Sequence, residues 1–323
     1  MTLPAGATAI GGNLPCRLCG GAQQILISGV EDPETRESFS ILRCRHCGTE
    51  QTEPVPTDLG RYYSSQYHGG RHGFTASYCA LRRLRWVNKF WSKELTPNKF
   101  RTSQGPKLLD VGCGEGTFLF AAQGTGWQVT GTEINPALAR AQGFDVHSSL
   151  NEAEAVAPFD CITLWHSLEH MRDPRAVLCQ LHGMLAPRGV LFIAVPNAHG
   201  WQARLFGARW LHRDVPRHLY HFGPASLRCL IEGAGFELLR SWHQEFEYDL
   251  MGWSQSALNA ISPTPNLFFS TITGRPARVS ALAKFASVAA GVAFSALALP
   301  LVPIGALAGA GGTLVVAARK KSE

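Results

Sequence analysis

From residue 107 onward the chain alternates short apolar runs with stretches whose apolar residues recur at helical spacing. This pattern predicts strands near 107–111, 127–132, 144–147, 159–165 and 189–195, and helices near 117–123, 136–142, 174–185 and 224–234. Strands alternating with helices imply an α/β fold with a doubly wound sheet, whose ligands belong in the crevice at the carboxyl ends of the strands.

The C-terminal pattern is different. Residues 285–318 carry no charge and are interrupted only by Pro300 and Pro303. The prolines leave two halves, each shorter than the roughly 20 residues a spanning helix needs. Residues 313–318 follow Gly311 and Gly312 and read as a strand. If that strand closes the same sheet, the apolar segment is an insertion that must leave and return to one domain, so a re-entrant or interfacial helical hairpin is expected over 279–309. Arg275, Arg278 and Lys284 precede it and Arg319, Lys320 and Lys321 follow, placing both ends on the cytoplasmic side. The alternative is a hairpin packed on protein or in a dimer interface.

Chemistry concentrates at the first strand of the alternating region. The strand ends in Asp110 and runs into Gly112, Cys113, Gly114 and Gly116, where positive φ and missing side chains let a ligand approach the backbone before a helix begins. Glu133 closes the next apolar run about 20 residues on, where a carboxylate can accept from both hydroxyls of a ribose. The spacing Gly-x-Gly-x-Gly departs from the Gly-x-Gly-x-x-Gly of dinucleotide-binding dehydrogenases.

With these residues in hand, the chain resembles the class I S-adenosylmethionine-dependent methyltransferases. Leu-Asp-Val-Gly-Cys-Gly (109–114), Gly-Thr-Glu-Ile-Asn-Pro (131–136), the run from Phe159 to His170 and Leu-Ala-Pro-Arg-Gly-Val-Leu (185–191) arrive in that family's order. The resemblance implies a cofactor site of Asp110, Gly112, Cys113, Gly114, Gly116, Glu133 and Ile134, with Ser148, Ser149 and Trp165 near the adenine and His166 and His170 shaping the pocket floor. Methyl transfer from a sulfonium needs near-attack geometry and removal of the acceptor's proton, a task suited to a neutral histidine. Two pairs compete, His166 with His170 and His218 with His221; the second resembles the acceptor side of zinc-ribbon small-molecule methyltransferases, so His218 is the expected base. Quinone-pathway O-methyltransferases are also similar around Glu169-His170, but they place a carboxylate where this chain has His166, which argues against a magnesium site.

Of nine cysteines, Cys16, Cys19, Cys44 and Cys47 form two Cys-x-x-Cys-Gly knuckles, the spacing of a four-thiolate structural zinc ribbon. Gly20 and Gly48 are expected in the left-handed conformation and His46 to face solvent. The other cysteines lie in apolar surroundings and read as packing residues. Residues 49–60, with Pro54 and Pro56, read as a linker; Tyr62, Tyr63, Tyr67 and His68 then precede a helix over 77–95 that is either a lid, a membrane-surface helix or a helix packed on the sheet.

A net charge of +6 spread over 323 residues without a basic block argues for neither nucleic acid nor anionic lipid by itself. Residues 1–15 lack the basic start and apolar core of a signal peptide, so a cytoplasmic protein, peripheral or monotopic at the inner membrane face, is expected. The organisation predicted is a zinc ribbon (1–57), a helical linker or lid (58–104), a methyltransferase core (105–250), a linker (251–278), an apolar hairpin (279–309) and a closing strand with basic tail (310–323). The function expected is methylation of a hydroxyl on a small or lipid-linked acceptor. An RNA methyltransferase is the alternative class, although the Leu-Trp-His-Ser run after the fourth strand lacks the Asn-Pro-Pro-Tyr type of motif; a non-catalytic cofactor-binding scaffold is the other.

Overall fold

The computed structural model describes residues 14–63, 74–94 and 105–321. Residues 1–13, Tyr67, His68 and the last two residues of the tail lie outside the described residues. The chain opens with β1 (Gln23–Glu31), β2 (Ser38–Cys44) and β3 (Glu50–Glu53), an antiparallel meander carrying the cysteine knuckles. Helix α1 (Phe74–Glu94) leads to the alternating region: β4 (Lys107–Val111), α2 (Thr117–Gln123), β5 (Gln128–Thr132), α3 (Ala137–Ala141), β6 (Val146–His147), α4 (Leu150–Ala153), β7 (Phe159–Trp165), α5 (Pro174–Met184) and β8 (Leu185–Pro196). Then come α6 (Trp201–Phe206), β9 (Tyr220–His221), α7 (Pro224–Gly233), β10 (Phe236–Trp242), α8 (Phe246–Ile261), α9 (Leu267–Ile272), α10 (Ala281–Ala298), α11 (Leu301–Leu307) and β11 (Thr313–Lys320).

The large sheet has seven strands in the order β10-β11-β8-β7-β4-β5-β6. Strands β4 to β8 are parallel, while β11 enters antiparallel between β8 and β10. Because β4 has β5 on one side and β7 on the other, the strand order reverses there, and the crevice at its carboxyl end is the topological switch point. Both faces are covered. On one, Leu84, Val87, Phe90 and Trp91 of α1 join Leu119 of α2 and Trp127. On the other, Leu178 and Leu181 of α5 join Leu227, Leu230 and Ile231 of α7.

The apolar segment forms two unequal helices. α10 is capped by the Ser280 side chain and α11 starts after Pro300, whose missing N–H costs nothing at a helix start. α10 rests on α8 and α9 through small residues: Gly291, where an added Cβ would stand 2.5 Å from the Phe268 ring, Ser295, whose Oγ lies 2.7 Å from that of Ser254, and Ala298. Leu282, Phe285, Val292 and Leu297 point to solvent at 59–76% exposure.

Three expectations change, and one open choice, that of α1, is decided. Residues 49–60 are not simply a linker: Glu50, Gln51, Thr52 and Glu53 form β3, which pairs with β2 and with β9 of the large domain. Its polar sequence has no apolar alternation to announce a buried strand. The segment 251–278, read as a linker, carries the second half of α8 and all of α9. β10 went unpredicted because its outer position leaves Leu238 and Leu239 half-buried and breaks the continuous apolar run. Helix α1 is built into the core instead of standing off as a lid, with Trp86 stacked on Trp242 and Phe90 edge-on to Phe192.

Candidate active site and cysteine centre

The glycine turn is shaped by three different needs. A Cβ at Gly112 would fall 2.7 Å from the Ser167 Cβ and one at Gly116 2.7 Å from the Phe144 ring, so packing requires glycine at both. Gly114, at φ +57, has nothing within 4 Å of where its Cβ would be. Its backbone faces the open crevice, as a cradle for a closely approaching ligand should. The Glu133 carboxylate stands at the mouth, accepting from the N–H of Gly114 at 2.9 Å and of Ile134 at 2.8 Å. Ile134 itself is 82% exposed beside it. These residues fit an adenosine with a ribose on the carboxylate and a sulfonium chain over the turn.

Asp110 lies deeper than a direct ligand would. Its carboxyl is buried and accepts from Thr163 Oγ1 at 2.6 Å; burial pushes its pKa up to about 7. It braces the turn from below. Cys113 is also buried, with its Sγ against Gly131. Trp165 packs edge-on to Phe118 in the core, with the Arg83 guanidinium over its ring, so it supports the crevice from inside the fold. Ser148 is at the rim and its hydroxyl faces Glu152 at 3.2 Å.

Beyond the turn, the histidines separate into different environments. His166 sits at φ +53, stacked 3.9 Å from the Tyr248 ring, with Nε2 2.7 Å from Glu245 Oε2 and Nδ1 3.7 Å from Glu169 Oε1. Burial opposes its charge, but Tyr248 and the two carboxylates overcome that and raise its pKa to about 10. An imidazolium at neutral pH cannot serve as a base. Glu245 in turn receives Arg83 Nε at 2.5 Å, which ties α1 to the site.

His170 and His218 meet edge to face with ring centroids 4.6 Å apart. Burial, reinforced by His218, lowers the His170 pKa to about 4; its Nδ1 is 2.9 Å from the Tyr63 hydroxyl. His218 Nδ1 lies 2.8 Å from the His212 carbonyl, an acceptor only, so Nδ1 carries the proton and the lone pair of the neutral ring is on Nε2. That nitrogen is 4.0 Å from Asp214 Oδ2.

His221 belongs to a different place. It lies in β9, buried in the seam between the two sheets, with Nε2 3.0 Å from Thr52 Oγ1, and burial lowers its pKa well below the ordinary value. Its partners make it a structural residue of that seam, and it does not share the base role expected of the pair. Among the described residues a further group converges: ligand atoms of Glu169, His170 and His218 all lie within 4.8 Å of one another. Both Glu169 oxygens are buried without a hydrogen-bond partner.

Sequence reasoning did not single out Arg83, Tyr63, Glu245 and Tyr248 as site residues. No motif joins them, because α1, the start of α8 and, for Tyr63, the turn at 60–62 bring them in from far along the chain. The only available signal was the excess of Arg and aromatic residues in α1.

The seam between the sheets is ionic. Glu50 is fully buried, its Oε1 2.5 Å from Arg43 Nη2 and its Oε2 2.5 Å from Arg213 Nη1. Arg217 bridges Asp32 of the small sheet and Asp214, each at 2.7 Å.

In the small sheet the four cysteine sulfurs lie within 4.8 Å of one another. Gly20 and Gly48 take φ +71 and +73, as the knuckle reading expected, and His46 is exposed. Burial opposes ionisation of Cys44, but the amides of Cys47 and His46, 3.4 Å from its Sγ, contribute to a pKa lowered to about 7. Four sulfurs with amides aimed at them fit a closed tetrahedral metal.

Residues 83–241 match the family model described as a methyltransferase domain. Among curated proteins, the ubiquinone biosynthesis O-methyltransferase of Xanthomonas axonopodis pv. citri (strain 306) is 29% identical over 152 residues, covering 42% of this chain and 64% of the relative. That of Pseudomonas entomophila (strain L48) is 33% identical, covering 42% and 66%. The chain thus spans just under two thirds of the length of these relatives. A solved SAM-dependent methyltransferase from Archaeoglobus fulgidus aligns at TM-score 0.46 and 18% identity over 81% of this chain and 100% of that one. Taken with the strand order and the glycine turn, the family match identifies a class I S-adenosylmethionine-dependent methyltransferase domain in this chain.

Proposed function

We propose that this protein transfers the methyl group of S-adenosylmethionine to a hydroxyl of a small or lipid-linked acceptor at a membrane face. The observation that carries the reading is His218, held by the His212 carbonyl so that its free lone pair is on Nε2, beside the cluster that adjoins the cofactor crevice. The cofactor supplies an activated methyl. The acceptor oxygen forms a bond to that methyl carbon as the carbon–sulfur bond breaks, the sulfur keeps the electron pair and the acceptor proton passes to His218 Nε2. Glu133 and the turn at Gly114 hold the adenosine, while His166, paired through its two nitrogens with Glu245 and Glu169, braces the floor of the pocket. The names of the ubiquinone-pathway relatives favour an oxygen acceptor on a small molecule.

The four-cysteine centre is read as structural zinc, since four thiolates leave no position open for water. The membrane element is read from α10, an apolar helix with its small-residue stripe on α8 and its large side chains outward. The test has two parts. Titration with S-adenosylhomocysteine should give binding that Glu133→Ala weakens roughly 100-fold, the value of two lost charge-assisted hydrogen bonds. Transfer of labelled methyl into a total lipid extract should fall about 100-fold or more in His218→Ala with cofactor binding unchanged. Cofactor binding without transfer to any lipid or aqueous extract would leave a scaffold.

A second reading is favoured by the Glu169 carboxylate, which lacks a hydrogen-bond partner and with His170 and His218 makes a carboxylate and two-imidazole donor set suited to a divalent ion. Calorimetric titration with Mn²⁺ or Zn²⁺, compared with Glu169→Gln, separates it from the metal-free base mechanism.

A further inference from the structure

The small sheet does more than hold cysteines: it forms one wall of a groove whose lining residue Asp214 touches the candidate base. The groove encloses about 520 Å³ between the β1–β2 turn, with Val30 and Arg36, and the opposite wall, with Arg209, Trp210 and Asn259. Its lining includes Asp214, whose carboxylate also faces inward to His218 Nε2 at 4.0 Å. Asp214 sits at φ +29, a conformation costly for a residue with a side chain. Buried Arg217 clamps it there and ties it to Asp32 beneath the β1–β2 turn. The groove, its small-sheet wall and the base are thus one braced unit.

Its chemistry is amphiphilic. Arg36 and Arg209 line it from opposite walls. Arg36 pairs with Glu31 at 3.2 Å, but both side chains are more than half exposed, so the pair holds Arg36 only weakly against a competing anion. Among the described residues Arg209 has no ion pair. Near the ends of α6 and α8, which flank the groove, stand Leu205 and Ile261, 67% and 71% exposed, and the outward face of α10 belongs to the same helical region.

We infer that this groove is the acceptor site and that it takes a membrane-anchored phosphate ester, with the phosphate between Arg36 and Arg209 and the hydroxyl-bearing part directed past Asp214 toward His218. This deepens the function proposed above and rests on it for the identity of the reaction. Arginine on both walls suits phosphate oxygens, and the neighbouring apolar surface suits a lipid tail.

Trp210 provides the probe, since its fluorescence should respond to an occupant of the groove. The full-length protein is titrated with farnesyl diphosphate below its micelle concentration, with farnesol and with inorganic pyrophosphate, and each sample is also titrated with S-adenosylhomocysteine. Farnesyl diphosphate should bind at least about 10-fold tighter than either fragment, and Arg209→Ala or Arg36→Asn should each remove about 10-fold. Asparagine is chosen at 36 because it tolerates the φ of +63 found there. Equal binding of farnesol, or farnesyl diphosphate binding unchanged in both variants, overturns the phosphate site. Pyrophosphate binding as tightly as the prenyl ester overturns the lipid anchor. Loss of S-adenosylhomocysteine binding with the groove intact would instead strike the methyltransferase reading.

Discussion

Replacing Glu50 by Gln should be among the most damaging single changes to this protein, although it touches neither cofactor nor acceptor. Glu50 is fully buried and its two oxygens each accept an arginine, Arg43 and Arg213. The two arms are unequal. Arg43 is 37% exposed and can turn to water, so its share is worth about 1 kcal/mol or less. Arg213 is 4% exposed and would remain as a buried cation with a neutral amide beside it, which costs about 3–5 kcal/mol. Against a total stability of about 5–15 kcal/mol that is a large fraction. Thermal unfolding followed by circular dichroism should show a midpoint lowered by roughly 4 to 7 °C. Arg43→Ala should cost little, and Glu50→Leu combined with Arg213→Met should recover most of the loss, because the penalty is the unpaired charge rather than the missing attraction. A Glu50→Gln protein within about 1 kcal/mol of the parent by urea denaturation would refute this account of the seam.

The Asp110 carboxyl, raised to about 7 by burial, is costly to ionise in the folded state, so its contribution to stability is present below its unfolded pKa and lost as the pH rises toward 7. The stability difference between parent and Asp110→Asn should therefore shift by about 4 kcal/mol between pH 4 and 7 and then level off; a difference flat with pH would contradict the burial. Chelation should strip metal from the four-cysteine centre and lower the unfolding temperature, with a chromogenic indicator reporting one zinc per chain if the ribbon reading holds. Leu282→Glu with Phe285→Glu should abolish sedimentation with anionic vesicles without changing the folding midpoint, since both side chains are more than 70% exposed; continued sedimentation would assign the membrane contact elsewhere.

Local rules made the parallel strands, the glycine turn, Glu133 and the cysteine knuckles legible in the sequence. Buried parallel strands must be continuously apolar, a close ligand needs glycine, and a thiolate knuckle has a fixed spacing. The closing strand could be read for the same reason, since β11 is covered on both faces. Tertiary structure decided what depends on partners distant in sequence. Nothing local distinguishes His166 from His218; their environments diverge because α8 brings Glu245 and Tyr248 to one, while the His212 carbonyl meets the other. Nor could sequence distinguish β3 from a linker. Its polar side chains are buried because Arg213, His221 and the backbone near β9, with Arg17 and Arg43, satisfy them. Periodicity encodes apolar burial, whereas polar burial is set by partners that the fold alone brings together.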